Sequence, residues 1–146
     1  AVLEAGTFAP TSRGRQDPWI VAVQRPDLLD RLARMNAEIM GSKGNPYYDA
    51  PTVVLVFAPA DSRNAVQDAS CVLENMMLAA HALGLGSCWI NREIEMFRTS
   101  EGHDLMVREL GLPEGLTGVG AISLGYPDGA ASPCKPRKEG YVRIVR

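Results

Sequence analysis

Residues 64–91, NAVQDASCVLENMMLAAHALGLGSCWIN, constrain this chain more than any other stretch. Apolar residues at Val66, Ala69, Leu73, Met76, Ala80 and Leu83 recur at the spacing that puts side chains on one face of a helix. From Met76 to Leu83 the opposite face is apolar too, broken only by His81. A helix apolar nearly all round is expected to be buried on all sides, so the rest of the chain must supply surfaces to cover it. Asn64 followed by Gln67 has the spacing of a capping box. Gly84 offers the left-handed stop that glycine adopts without steric penalty. Full burial of Val66, Val72, Leu73, Met76, Met77 and Leu83 would contribute on the order of 10 kcal/mol gross, comparable to a domain's net stability. Past the stop, residues 85–91 read as a short buried strand with Trp89 near its end.

A length of 146 residues makes residues 1–146 one domain, large enough for a real core. The net charge of −2 argues against general nucleic-acid affinity, which needs a basic surface. No apolar run approaches a membrane span, so neither nucleic acid nor membrane is an expected partner. The three cysteines, Cys71, Cys88 and Cys134, lack a framework spacing and read as reduced thiols of a cytoplasmic protein. No signal peptide is visible.

Residues 1–8 have helical spacing but no N-cap, and read as the end of a helix whose beginning is absent. Residues 9–17 (APTSRGRQD) form a polar, turn-prone loop, solvated or wrapped round a polar ligand. A strand follows at 18–24, bounded by Pro18 and Pro26. Pro26 starts a helix with Leu28, Leu32, Met35 and Ile39 on its inner face and Asp30, Arg31, Arg34 and Glu38 in solvent. Residues 41–49 form a loop whose adjacent Tyr47 and Tyr48 either anchor it or cover a pocket. Residues 51–58 (PTVVLVFA) are β-branched and apolar, as in a central strand buried on both faces. A helix is expected at 101–110, stopped by Gly111, and a strand at 116–125 whose three glycines allow a backbone or ligand to approach closely. Residues 126–136 read as a Pro/Gly/Ala loop and 141–145 as a short terminal strand or extended arm. The alternation of elements predicts an α+β or α/β sheet covered by helices.

Familiar catalytic constellations are missing. His81 on the central helix reads as a packed or hydrogen-bonded group rather than a base. The cysteines and His81 lack the paired spacing of a zinc site, and no metal is expected. Gly84 and Gly86 do not make a dinucleotide fingerprint. Ser12 and Ser87 have no evident base partner, and Cys88 within an apolar strand reads as an inert small hydrophobe. No side chain is therefore assigned a catalytic role, and an enzymatic chain of this kind would rely on a bound cofactor. Lys135 and Arg137, flanking Pro136, are either a solvated turn or a phosphate clamp.

The ordered set of motifs resembles the nitroreductase family. Ala9-Pro10-Thr11-Ser12 leading to Gln16 and Pro18-Trp19 is similar to that family's A-P-[ST]-x…Q-P-W segment. Tyr48-Asp49-Ala50-Pro51 resembles the entry to its central strand. LAAHALGLGSCWI, residues 78–90, resembles its most recognisable block, and Gly125-Tyr126-Pro127 with Lys135-x-Arg137 its C-terminal end. The resemblance covers nearly the whole chain. It implies an α+β fold with a mostly antiparallel central sheet flanked by helices, a long buried central helix, and an intertwined homodimer with FMN at the subunit interface. The implied chemistry is ping-pong: NAD(P)H gives hydride to flavin N5, and an acceptor such as a nitroaromatic, quinone or enone receives it. Carried onto this chain, Pro10, Thr11, Ser12 and Arg13 would bind the flavin from one subunit. Trp89, Ile90 and Asn91 would lie along it from the other, with a backbone N–H near Asn91 directed at N5, and Lys135 and Arg137 would hold the phosphate. The chain departs from the family pattern in three places. It lacks the basic phosphate-binding segment expected before the first helix, Asp17 stands inserted between Gln16 and Pro18, and Gly14 replaces a common asparagine. Rival readings are a non-catalytic flavin-binding or assembly module, and a same-family dehalogenase or flavin-degrading enzyme.

Overall fold

The computed structural model describes residues 1–129 and 133–146. Its centre is β2 (Thr52–Pro59), and residues 53–58 of this strand are completely buried. Alternation along it sends Val53, Leu55 and Phe57 into one apolar cluster and Val54, Val56 and Ala58 into another, so helices must cover both faces. The sheet has the order β1-β2-β4-β3, with β1 at Trp19–Val23, β3 at Gly86–Ile90 and β4 at Leu116–Gly125. Every pairing is antiparallel. The connection from β2 to β3 runs through α3 (Ala65–Ala82) and skips the place that β4 fills.

On one face lie α1 (Val2–Thr7) and α3, joined where Gly6 sits against Ile20 and Met76. On the other lie α2 (Pro26–Met40), α4 (Glu93–Arg98) and α5 (Ser100–Asp104), which runs on into a widened π-helical turn over Leu105–Glu109. Phe57 and Phe97 meet edge to face with centroids 4.7 Å apart in this second layer. Outside it, Arg31 and Arg34 of α2 pair with Glu101, and Arg31 also with Glu109.

The central helix differs from its sequence expectation in two respects. It buries a single face, Ala69, Val72, Leu73, Met76 and Ala80, rather than its whole circumference. Leu78 is 59% and Leu83 55% exposed, Val66 is exposed, and the His81 side chain lies in solvent without a hydrogen bond to any described residue. One sheet and one short helix cover only part of a helix of this length. The capping box does not form either, because Asn64 Nδ2 donates to Ser12 Oγ (2.8 Å) instead. The stop at Gly84 is as expected, with φ +74°.

Other boundaries shift. Helix α4 was not foreseen, Ile39 is exposed, and residues 141–145 form no strand. Strand β3 is a half-exposed edge rather than a buried strand, and Cys88 on it is exposed rather than packed. Of the expected 126–136 loop, residues 130–132 fall outside the described residues. The glycines of β4 do admit close neighbours. A β-bulge shifts the register so that Val56 opposes Gly120 while Phe57 opposes Gly118, leaving Val119 as the extra residue. A Cβ on Gly118 would lie 2.7 Å from the Glu93 carbonyl oxygen, and one on Gly120 would lie 2.9 Å from Trp89 Nε1. No helix of the described residues is long and apolar enough to cross a membrane.

Candidate functional site

Two groups of expected site residues sit on two separate parts of the sheet. The first is the loop after α1. Its backbone takes left-handed angles at Arg13 (φ 58°) and Gln16 (φ 56°), a conformation that needs outside support in residues with a Cβ. The support comes from four side chains. Ser12 N–H donates to Asp68 Oδ1 (2.9 Å), Gln16 N–H donates to Thr11 Oγ1 (3.0 Å), and Asn64 holds the Ser12 hydroxyl. Asp68 is itself buried in the first turn of α3. The arrangement leaves the Thr11 and Ser12 hydroxyl protons available, because both oxygens act here as acceptors. Pro10, Arg13 and Arg15 are exposed beside them. A cavity of about 190 Å³ opens next to this loop, lined among others by Thr11, Gln16 and Ile20.

The second group is the end of β3. This strand pairs only with β4, so its outer edge presents backbone groups without a ladder partner. Trp89 turns towards α3 over Gly120, and its Nε1 donates to Asn91 Oδ1 (3.0 Å). Ile90 points into the opposite core, which leaves only its backbone for a ligand. The Asn91 carbonyl accepts from Asn36 Nδ2 (3.0 Å). A cavity of about 350 Å³ lies here, lined by Asn45, Tyr48, Trp89, Asn91 and Arg92 among others. Of the adjacent tyrosines, Tyr47 is the anchor, buried in the core, whereas Tyr48 stands exposed at the cavity.

Behind Asn91 is a buried polar network that sequence reasoning missed. Arg92 caps α4 with φ 85° and its Nε donates to Asn36 Oδ1 (2.7 Å). Tyr47 Oη donates to Glu93 Oε1 (2.9 Å), while Glu93 Oε2 has no partner. Glu93 is fully buried, and burial pushes its carboxyl up to about 7 against the restraining hydrogen bond from Tyr47. Burial and the neighbouring carboxylate push the Tyr47 phenol up as well, so it stays protonated and donates. One signal was readable: Asn36 follows Leu32 by four residues on the inner face of α2, a polar residue in an apolar row. Glu93 gave none, since a charge after a strand ordinarily faces water.

The third expected group, Lys135 and Arg137, lies in an exposed tail with no regular element and no recorded ion pair among the described residues. Neither residue lines the cavity beside either of the other two.

Known proteins resemble this chain in sequence and fold. The sequence model of the Nitroreductase family matches residues 1–126. A relative from Archaeoglobus fulgidus, provisionally named an NADH dehydrogenase/NAD(P)H nitroreductase, is 33% identical over 131 residues, spanning 86% of this chain and 70% of its own. A similarly named protein of Methanothermobacter thermautotrophicus is 26% identical, and the chain spans 63% of its length. Among solved structures, a nitroreductase with bound FMN from Bacteroides fragilis superposes with a TM-score of 0.90 at 32% identity, over 100% of this chain and 85% of that one. An FMN-dependent nitroreductase from Clostridium difficile gives 0.75 at 25% identity, over 98% and 86%. With a family match over residues 1–126 and a fold shared over the length of this chain with a relative 32% identical, the chain belongs to the nitroreductase family.

Proposed function

We propose that the chain binds FMN and acts as an NAD(P)H-dependent flavin oxidoreductase, reducing a small acceptor such as a nitroaromatic, quinone or enone. The observation that carries the reading is the likeness, at TM-score 0.90 and 32% identity, to a protein solved with FMN. The donor chemistry on this chain fits such a ligand. Thr11 and Ser12 offer hydroxyl protons to a polyol or a ring carbonyl, and the open edge of β3 at Trp89–Asn91 offers backbone donors to a flat heterocycle. Arg13, Lys135 and Arg137 are exposed cations suited to a phosphate. When bound, the flavin supplies the two-electron chemistry, accepting and returning hydride at N5. The protein's own part is to position the reactants and to present donors where negative charge develops.

The acting species in this reading is a homodimer. Strands β1 and β3 are opposite edges of the sheet, three strand spacings or roughly 14 Å apart. The loop leading into β1 and the end of β3 therefore meet one ligand most simply when they come from different copies. The exposed Leu78 and Leu83 of α3 provide apolar surface for the second copy. The separate, unbridged Cys71, Cys88 and Cys134 suit a cytoplasmic setting. The purified protein is expected to be yellow, to bleach with NADH or NADPH without oxygen, and to scatter light as a dimer. A flavin-loaded protein that neither nicotinamide bleaches would reduce the chain to a binding module.

Lys135 and Arg137 act as the phosphate clamp in this reading. In an extended backbone, residues two apart point to the same side, so Lys138 faces away. Hydrogen bonds to a charged group are worth about 1.5–3 kcal/mol. Arg137→Ala should weaken FMN binding by roughly 10- to 100-fold, and Lys138→Ala much less. Equal losses in a fluorescence titration would mean only diffuse charge attraction.

A further inference from the structure

We propose that Arg92 forms an anion subsite that selects small aromatic acceptors bearing a carboxylate. The proposal rests on the flavin reading only in that the cavity beside Trp89–Asn91 is taken as the acceptor's place. Among the described residues lining that cavity, Arg92 is the sole charged one. It makes no ion pair with any carboxylate of the described residues. Asn36, which is fully buried, takes the Nε proton at 2.7 Å and so fixes the plane of the guanidinium. The two terminal nitrogens remain, and their parallel N–H groups match the two oxygens of a carboxylate. Asn36 also holds the Asn91 carbonyl, so the cation and the strand end are placed by one side chain.

The rest of the lining sets the class of ligand. Trp89 and Tyr48 bring aromatic surface, and Asn45 and Asn91 bring amides rather than charge. A volume of about 350 Å³ is at the small end of ordinary ligand pockets, roughly 300–1,000 Å³. It suits one substituted ring better than a dinucleotide. Arg92 itself stands at φ 85°, an angle that disfavours any residue with a Cβ. Holding an arginine there, in place of the glycine the backbone would favour, is a local cost that a ligand-facing role explains.

The test is calorimetric binding of benzoate and of benzamide, its neutral analogue, to the protein as purified, with flavin content measured on the same sample. The parent should prefer benzoate by about 10-fold or more, the scale of one charged bidentate contact. Arg92→Gly suits the left-handed backbone, so it keeps the turn while removing the guanidinium, and should abolish the preference. Arg92→Lys keeps the charge without the fork and should retain only part of it. Equal affinities in the parent, or a preference that survives in Arg92→Gly, would overturn the subsite. So would an Arg92→Gly protein whose KM rises for NADPH or NADH while the benzoate preference stays, which would assign the arginine to the donor. A sample without flavin would count against the proposed oxidoreductase, and the benzoate comparison would still decide Arg92.

Discussion

Replacing Glu93 with glutamine is expected to make the folded protein more stable than the parent at pH 8 and to leave it nearly unchanged at pH 5. The carboxyl is held up to about 7, against an ordinary 4.5, by burial before any other influence. Between those values the folded chain keeps a proton that the unfolded chain has released. The folded state binds more protons, so stability falls as pH rises through the window and levels off above it. The span corresponds to about 3 kcal/mol. Glutamine carries no charge to bury, and its amide oxygen can still accept from Tyr47 Oη. Denaturant unfolding at pH 5, 6, 7 and 8 should show the parent losing stability along a slope that Glu93→Gln lacks. Parallel profiles would mean that Glu93 is ionised at no significant cost.

The second large effect is expected at Gly118. An added Cβ would stand 2.6 Å from the Phe97 ring and 2.7 Å from the Glu93 carbonyl oxygen. Neither neighbour yields easily: Phe97 is seated against Phe57, and the Glu93 backbone begins α4. Gly118→Ala should therefore cost about 3 kcal/mol, the upper part of the usual range for an overpacked core. It should also move the Arg92–Glu93 turn, weakening benzoate binding along with stability. Gly44→Ala is the control, since nothing lies within 4 Å of its Cβ position, and a change within about 0.5 kcal/mol is expected there. A Gly118→Ala protein as stable as the control would show that α4 sits loosely on the sheet.

What the sequence disclosed and what it hid divide along the range of the interactions. The apolar run of β2, the Gly84 stop and the close approaches at the β4 glycines follow from neighbours or from the backbone itself, and the structure has them. The strand before Asn91 also stood in the right place, but its edge position did not show. A short, largely apolar strand looks the same whether one partner strand or two lie beside it, so Cys88 was misjudged. The Pro10–Arg13 loop was recognisable as polar and turn-prone. That Asn64 would leave its own helix to hold Ser12, 52 positions earlier, was not. Glu93 is the extreme case, because its burial depends on Tyr47, 46 positions away, and on Asn36, 57 away. No window along the chain contains that environment.

The bulge at Val119 makes parity matter. In an unbroken strand, residues two apart share a face, so Gly118 and Gly120 would look the same way. With one residue inserted between the paired positions, Gly118 looks towards Phe97 and α4, whereas Gly120 looks towards Leu73 and the Trp89 indole. The two thinnest points of the sheet are thus opened to opposite sides, one for a helix start and one for a ring. Removing Val119 would make the two glycines neighbours in a regular strand and keep them on opposite sides, whereas pairing Val119 into the ladder without a bulge would set both on one side, and only one of the two close approaches could survive. Whether Val119 stands outside the ladder or is paired into it therefore decides whether α4 and Trp89 can both lie against this strand.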